Sequence, residues 1–431
     1  MRICVVGAGF VGLTTATTLA ELGHEVLIVE NSMDKIEQLR SGILPFYEPD
    51  LESAFFAQSE RKYLAFSDWK NLATFDEFEF YLVCVGTPKL ADGSADLGQV
   101  ESVLNRLKGL ITKRSVIVLR STVPPGTTRG LELSFVDAKH INLIFQPEFL
   151  REGSALSDSR NPDRIVVGGS NETALESYLK IYSSLECRII KTTSYSAECI
   201  KYLNNIFLSL CISFSNEFFG SIETDDDYDL DKILSGWHSD RRFTAKPDGQ
   251  ASITSYLLPG IGFGGSCFPK DTEAFFNAFV SPNSNELKLI NEILQINSKR
   301  IKIISDWMIS NFDSKSHFII CGITFKEFSS DTRNSKSLEL LNELEGIIDR
   351  VTWIDSLLSP KTFEEDNWQL FNDENSIFVL TNHDPYYKRL IIKICQSNNR
   401  QVKVIALRGQ TLIENTLWAV PRKANFAMEN L

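Results

Sequence analysis

The sequence predicts an α/β protein in which two sheet-based domains flank a central helical region. Three observations carry this. Short β-rich runs alternate with helical patterns up to about residue 191. A long stretch from Ala197 to Phe219 then contains neither Gly nor Pro. The alternation returns from His317. Strands that alternate with helices build parallel sheets covered on both faces.

In the first region, Ile3–Val6, Glu25–Glu30, Phe80–Val85, Ser115–Leu119, Asn142–Phe145 and Arg164–Val167 read as strands, and Arg188–Lys191 as an edge strand. The Thr192–Ser196 cluster suits a helix cap. It introduces the Ala197–Phe219 helix. A second long helix is expected from Asn285 to Asn311, where Ile290, Ile293, Leu294, Ile301, Ile304 and Met308 recur at helical spacing. Phe318–Cys321, Arg350–Ile354, Ser376–Leu380 and Val402–Ala406 read as strands of the last region. Residues beyond Pro421 are expected to form a loose tail.

The chain has 431 residues and a formal charge of −12. That length suggests two or three domains. The charge disfavours nucleic acid as a partner, although a local basic site can still hold a small anion. The apolar runs are too short to span a bilayer. The strand pattern Arg2-Ile3-Cys4-Val5-Val6 opens the chain, so a secretory leader is not expected. The eight cysteines show neither a CxxC pair nor metal-ligand spacing. Reduced thiols, a cytoplasmic location and the lack of a metal site are the corresponding expectations.

Gly7-Ala8-Gly9-Phe10-Val11-Gly12 follows the first strand and opens a helix, and the second strand ends in Glu30. This is the context in which GxGxxG carries meaning. The first glycine allows a tight turn, the second lets backbone approach a pyrophosphate, and the third lets the helix pack closely. Glu30 can accept hydrogen bonds from an adenosine ribose and would repel a 2′-phosphate, which favours NAD over NADP.

Pro259–Asp271 is the other informative stretch. Four glycines lie within Gly260–Gly265, a costly density that makes sense where backbone lies close to a ligand. Pro269 suits the first turn of a helix, which would put Cys267 at that helix's N-terminus and favour thiolate. Taken alone, a buried inert cysteine is the commoner outcome. Glu198, Lys201 and Asn205 fall on the first long helix, with Lys201 and Asn205 sharing a face. An ammonium beside an amide can hold an oxyanion. Pro147–Gly153 follows the C-terminal end of a strand, where open parallel sheets bind ligands.

These segments together resemble the UDP-glucose dehydrogenase family, within the wider UDP-sugar and GDP-mannose dehydrogenases. The resemblance spans nearly the whole chain. It rests on GAGFVG at Gly7–Gly12, VGTP at Val85–Pro88, STVPPGT at Ser121–Thr127 and PEFLREGSA at Pro147–Ala155. It continues through AECIKYLNN at Ala197–Asn205, SNEF at Ser215–Phe218, GFGGSCFPKD at Gly262–Asp271, and GITFK with DTRNS at Gly322–Ser335.

The resemblance implies two Rossmann-like α/β domains joined by a helical dimerisation domain. The boundaries would be 1–195 for NAD, 196–312 for the central domain with the cysteine loop, and 313–431 for the UDP-sugar. It implies a homodimer and a four-electron oxidation of UDP-glucose to UDP-glucuronate with two NAD⁺, as a step toward polysaccharide. Cys267 would be the nucleophile, Lys201 and Asn205 the oxyanion site, and Thr122 and Asp271 the holders of a water. Glu152 would act in thioester hydrolysis near the nicotinamide. Lys35, Thr87, Thr122 and Arg333 would join Gly7, Gly9, Phe10, Val11, Gly12 and Glu30 around NAD. Phe149, Leu150, Glu152, Lys201, Asn205, Lys326 and the loop holding Leu258, Gly260, Phe263 and Gly264 would contact the sugar nucleotide.

Three departures stand out. An insertion over Phe243–Leu258 separates Arg241 and Arg242 from the Gly-rich loop, where the family has an Arg that reaches the partner's site; Arg242 is assigned there. Ala406-Leu407-Arg408-Gly409 replaces an Asp-Gly-Arg motif, and Arg408 is assigned to its Arg. Glu30 stands where Asp is usual. Phe263 and Phe268 favour the UDP-glucose branch over UDP-N-acetylmannosamine, UDP-N-acetylglucosamine or GDP-mannose. Outside this chemistry stand a two-electron hydroxyacid dehydrogenase, which needs no nucleophilic cysteine, and a non-catalytic sugar-nucleotide sensor. Intact Lys201, Asn205, Cys267 and Asp271 argue against the sensor.

Overall fold

The computed structural model describes all residues except 73–74, 76–77, 136, 223–228, 247–248, 281–286, 359–374, 399–401, 408–423 and 427–431. The chain forms two compact units. The first comprises Met1–Asn204 with Glu273–Phe279, the second Asn205–Thr272 with Val280–Leu431.

The first unit is built on an eight-stranded sheet. Its strands are β1 (Arg2–Val6), β2 (Glu25–Glu30), β3 (Leu64–Asp68), β4 (Phe80–Val83), β5 (Ser115–Leu119), β6 (Ile141–Phe145), β7 (Arg164–Gly168) and β8 (Arg188–Thr192), in the order β3-β2-β1-β4-β5-β6-β7-β8. β1 to β6 pair in parallel. Side chains alternate between faces, and here both faces are apolar. Ile3, Val5 and Ile28 join one buried cluster, while Cys4, Val6, Leu27 and Val29 join the other. This two-sided burial is why these strands read as continuous apolar runs.

Two features depart from expectation. β7 and β8 run against the rest, because β6 meets β7 antiparallel at the single pair Phe145–Gly168. The short helix Ala155–Arg160 between them packs on the Phe10–Glu21 helix. β3 was not foreseen. It is an edge strand in which only Leu64 and Ser67 are buried, so it has little apolar signature.

Helix Ser194–Ile222 begins three residues before the expected start, with Thr193 Oγ1 accepting from Ser196 N at 3.2 Å. In the second unit it is followed by helix Leu230–His238, whose start is capped by Asp229 accepting from Lys232 N at 3.1 Å. The segment Phe243–Leu258 holds a small hairpin, β9 (Thr244–Lys246) and β10 (Gly249–Gln250). The second long helix spans Lys288–Asn311.

A five-stranded sheet completes this unit: β11 (His317–Cys321), β12 (Arg350–Ile354), β13 (Ser376–Leu380), β14 (Val402–Ala406) and β15 (Ala424–Phe426), ordered β12-β11-β13-β14-β15. Phe318 and Ile320 face one buried cluster, Ile319 and Cys321 the other. The expected loose tail is corrected at β15, which satisfies the outer edge of β14 by antiparallel pairing. Among the described residues, no helix is long and apolar enough to cross a membrane.

Candidate active site

In the first unit the turn after β1 is a cradle for a dinucleotide. Gly7 has φ +106°, and a Cβ there would lie 2.9 Å from the Cys84 carbonyl oxygen. A Cβ on Gly12 would lie 1.9 Å from the Gly7 carbonyl oxygen, so the helix packs on the turn only because this residue lacks one. A Cβ on Gly9 would meet open space. That is the position from which backbone approaches a pyrophosphate, and the residues fit NAD.

Glu30 ends β2 beside this turn. It accepts from Ala8 N at 2.8 Å, Asn31 N at 2.7 Å and Ser32 N at 2.9 Å, and Lys35 Nζ lies 3.6 Å away. Burial pushes its carboxyl up, but those N–H donors and Lys35 outweigh burial and hold it below its ordinary value. It is therefore ionised at neutral pH. Thr87 Oγ1 donates to the Thr122 carbonyl at 2.8 Å, which ties two of the expected residues together.

The first turns of helix Ser194–Ile222 grip the two loops that follow β5 and β6. Glu198 is fully buried and accepts from Gly126 N at 2.6 Å and from Thr128 N at 2.8 Å. Lys201 is 4% exposed. Its Nζ donates to the Glu148 carbonyl at 2.7 Å and to Glu148 Oε1 at 2.9 Å, and it lies 5.6 Å from the centre of the Phe149 ring. Burial raises the Glu148 carboxyl, while the Lys201 charge and hydrogen bond, Leu150 N and Arg120 more than reverse this, leaving it lowered. Sequence reading passed over Glu148 in favour of Glu152, which is half-buried in the turn after Leu150. The available signal was position: Glu148 stands nearer the end of β6.

In the second unit, Cys267 is exposed and directly precedes helix Phe268–Phe279; its carbonyl accepts from Asp271 N at 2.8 Å. Ser266 Oγ lies 3.6 Å from its sulfur. Asp271 is fully buried; it accepts from Asn205 Nδ2 at 2.7 Å and pairs with Lys270. Asn205 in turn accepts from Ser209 Oγ at 2.9 Å through its carbonyl.

The loop before the cysteine is held by residues that sequence reading missed. Asn297 clasps Phe263, accepting from its N–H at 2.7 Å and donating to its carbonyl at 3.0 Å. Asn216 Oδ1 accepts from Gly260 N at 2.6 Å, and Arg300 Nε donates to the Gly260 carbonyl at 2.8 Å. Polar residues buried on otherwise apolar helix faces were the signal. The expectation that these glycines serve ligand approach is corrected in part. Cβ atoms on Gly262, Gly264 and Gly265 would strike Asn297, the Asn334 carbonyl and the Phe325 ring. They let the loop pack on its own protein.

Other expected residues are less built in. Arg242 is exposed and forks onto Asp240 at 2.6 and 2.9 Å. Arg333 is exposed and forks onto Asp331 at 2.6 and 2.9 Å. Lys326 is half-buried, and its carbonyl accepts from Thr324 Oγ1 at 3.0 Å. Arg408 lies outside the described residues.

Residues 1–186 match the NAD binding domain, and residues 195–299 the central domain, of the UDP-glucose/GDP-mannose dehydrogenase family. The chain is 31% identical over 407 residues to a UDP-glucose 6-dehydrogenase of Rickettsia bellii, covering 93% of this chain and 88% of that one. The chain belongs to the UDP-glucose/GDP-mannose dehydrogenase family. A UDP-glucose 6-dehydrogenase of Pseudomonas aeruginosa is 32% identical over 80% of this chain and 76% of its own. The structure of a UDP-glucose dehydrogenase from Pyrobaculum islandicum matches with a TM-score of 0.80 and 30% identity, over 94% of each chain.

Within this dehydrogenase family member, Cys267 differs from the other described cysteines. Cys4, Cys84, Cys211 and Cys321 are buried, and Cys187 and Cys199 are half-buried. Burial raises the thiol of every one of these six. Cys267 is exposed at the start of a helix, where the dipole favours an anion. The expectation of a buried cysteine therefore fits Cys4, Cys84, Cys211 and Cys321, whereas Cys267 is exposed.

Proposed function

We propose that this enzyme is an NAD-dependent UDP-glucose 6-dehydrogenase that carries the C6 alcohol to a carboxylate through a covalent intermediate on Cys267. One observation supports this most: the exposed cysteine opens a helix whose Asp271, one turn on, holds the Asn205 amide. The family's named relatives act on UDP-glucose, which supports that substrate.

Gly7–Gly12 and Glu30, with Lys35, Thr87, Thr122, Glu152 and Arg333, would hold NAD⁺. When bound, it would supply the hydride acceptor, one NAD⁺ for each of the two oxidations. The Cys267 thiolate adds to the C6 aldehyde, forming a C–S bond and an alkoxide. Lys201 and Asn205 stabilise that oxyanion. Glu148 fixes the Lys201 ammonium in place, accepting from it through both its backbone carbonyl and its carboxylate. The second oxidation leaves a thioester. Water held by Thr122 and Asp271 and activated by Glu152 adds to it, the C–S bond breaks, and carboxylate and thiol result. Phe149, Leu150, Lys326, Arg242, Arg408 and the Leu258–Gly264 loop would hold the sugar nucleotide.

The three-part division at 195/196 and 312/313 is carried forward with this reading, as is a homodimer through the central helices. On helix Ser194–Ile222, Leu203, Phe207, Phe214 and Phe218 are exposed at spacings of four and seven, one helical stripe. A cytoplasmic location fits Cys4, Cys84, Cys187, Cys199, Cys211 and Cys321, which are outside any disulfide. The test of substrate is a kcat/KM series over UDP-glucose, UDP-N-acetylmannosamine, UDP-N-acetylglucosamine and GDP-mannose. UDP-glucose is expected to lead. Preference for another by more than about tenfold would overturn the assignment.

A further inference from the structure

Beside the loop that carries Glu148, the first unit holds a partly open cavity of about 250 Å³. Its walls include Thr15, Arg120, Gln146, Tyr182, Glu148 and Arg164. Arg120 is 7% exposed. Its Nη1 donates to Gln146 Oε1 at 2.5 Å and to the Tyr182 hydroxyl at 3.2 Å, while Nε has no acceptor. Gln146 Oε1 also accepts from the Tyr178 hydroxyl and, at 3.1 Å, from that of Tyr182. Its carbonyl oxygen is thus crowded with donors, and the residue lines the cavity.

A second orphan lies on the same wall. Thr17 and Thr18 donate back to the Leu13 and Thr14 carbonyls at 2.8 and 3.1 Å, the usual refuge of a helical threonine. Thr15, 3% exposed, leaves its hydroxyl without a partner.

Charge points the same way. Burial pushes the Cys84 thiol up to about 12 and the Tyr178 hydroxyl well above its ordinary value, so both are neutral near Arg120. Glu148 acts on Arg120 electrostatically, but its carboxylate is bonded to Lys201 at 2.9 Å. Of the other charged groups on the wall, Arg151 pairs with Asp158 at 2.6 Å, Asp163 is exposed at the rim, and Arg164 stacks on Phe149 at 4.1 Å. Two buried cations therefore share one buried carboxylate. A buried charge without its own counter-charge is costly.

We propose that this cavity binds one small oxyanion, a phosphate or carboxylate group, through the Arg120 guanidinium, the Gln146 amide N–H and the Thr15 hydroxyl. Arg120 directly precedes Ser121-Thr122, and Gln146 directly precedes Pro147-Glu148. With the anion present, Arg120 has its own counter-charge and Glu148 faces Lys201 alone. The site thus reaches the two loops that carry Thr122 and Glu148, and its wall also includes Phe149 and Leu150.

The test is equilibrium dialysis of inorganic phosphate against the full-length protein saturated with NAD⁺ and UDP, so that nucleotide phosphate sites are filled. One equivalent per chain is expected. Thr15→Val and Gln146→Leu should each weaken it by about tenfold or more, the loss of one hydrogen bond to a charged group. Arg120→Met removes the buried cation and should abolish binding; the two milder variants decide the matter if it does not fold. Displacement by acetate would identify a carboxylate ligand, and resistance to acetate a phosphate. Lack of saturable binding below about 10 mM would overturn the proposal and leave the orphan donors to water. Binding that neither variant weakens would overturn it too, placing the phosphate elsewhere.

Discussion

At the scale of single residues, two side chains carry most of the proposed chemistry. Cys267→Ser keeps the shape of the side chain but raises the pKa of the nucleophile, so little alkoxide forms near neutral pH. Turnover should fall by on the order of 10³-fold or more, with NAD⁺ affinity retained. Mass spectrometry of the denatured variant after incubation with UDP-glucose and NAD⁺ should reveal slowly hydrolysed ester-linked sugar nucleotide. Turnover near the unmodified rate would reduce Cys267 to packing. Glu148 gives the second test. Its carboxyl is lowered in the folded protein. Its ionised form therefore contributes stability above the unfolded value of about 4.3, and this is lost as pH falls through the lower folded value. Glu148→Gln leaves the Lys201 ammonium buried beside a neutral partner. At pH 7 it should cost about 3 kcal/mol in urea denaturation, and the gap should close in acid. A gap independent of pH would contradict the pair's assignment. Glu148 also marks how far residue chemistry was legible. Spacing and motif single out Cys267, Lys201, Asn205 and Asp271 as candidates, and Asn205 does meet Asp271. Glu148, Asn216, Asn297 and Arg300 were passed over, because a buried polar side chain declares its partner only after folding.

At the scale of elements, the tight turn after β1 and the long helix were both legible, for different reasons. The turn is set by glycines whose places cannot hold a Cβ. Gly12→Ala would force a methyl within 1.9 Å of the Gly7 carbonyl oxygen. Relief requires the helix to move, so NAD⁺ affinity should fall by at least about tenfold and stability by about 1–3 kcal/mol. Calorimetric titration showing unchanged affinity would refute the cradle's geometry. The long helix was legible as an apolar run free of Gly and Pro, but not the direction of its side chains. Its exposed stripe includes Leu203, 70% exposed, and Phe207. Phe207→Asp should convert a dimer to monomer at micromolar concentration, by sedimentation velocity. An unchanged sedimentation coefficient would exclude this stripe as the contact. Elements with weak apolar signatures escaped notice. β3 buries little, the β9–β10 hairpin has strands of three and two residues, and β15 is a three-residue edge strand. The glycines of the cysteine loop predict close approach of a ligand, and three of them also have protein neighbours. Only the folded chain reveals that these are Asn297, Asn334 and Phe325.

At the scale of the whole molecule, the two-sided burial of both sheets made the α/β class readable from strand composition alone. The reversal of β7 and β8 was not readable, because β6 and β7 meet at one residue pair and sequence carries no sign of strand direction. The central claim concerns the complete enzyme. In the proposed mechanism a cysteine-bound intermediate retains the sugar from the aldehyde onward, so two hydrides leave each substrate before product is released. The direct measurement is NADH formed per UDP-glucose consumed, by absorbance against quantitative analysis of the nucleotide sugars. The account predicts a ratio of two, with UDP-glucuronate as product and little free aldehyde. A ratio of one, with aldehyde released, would contradict it.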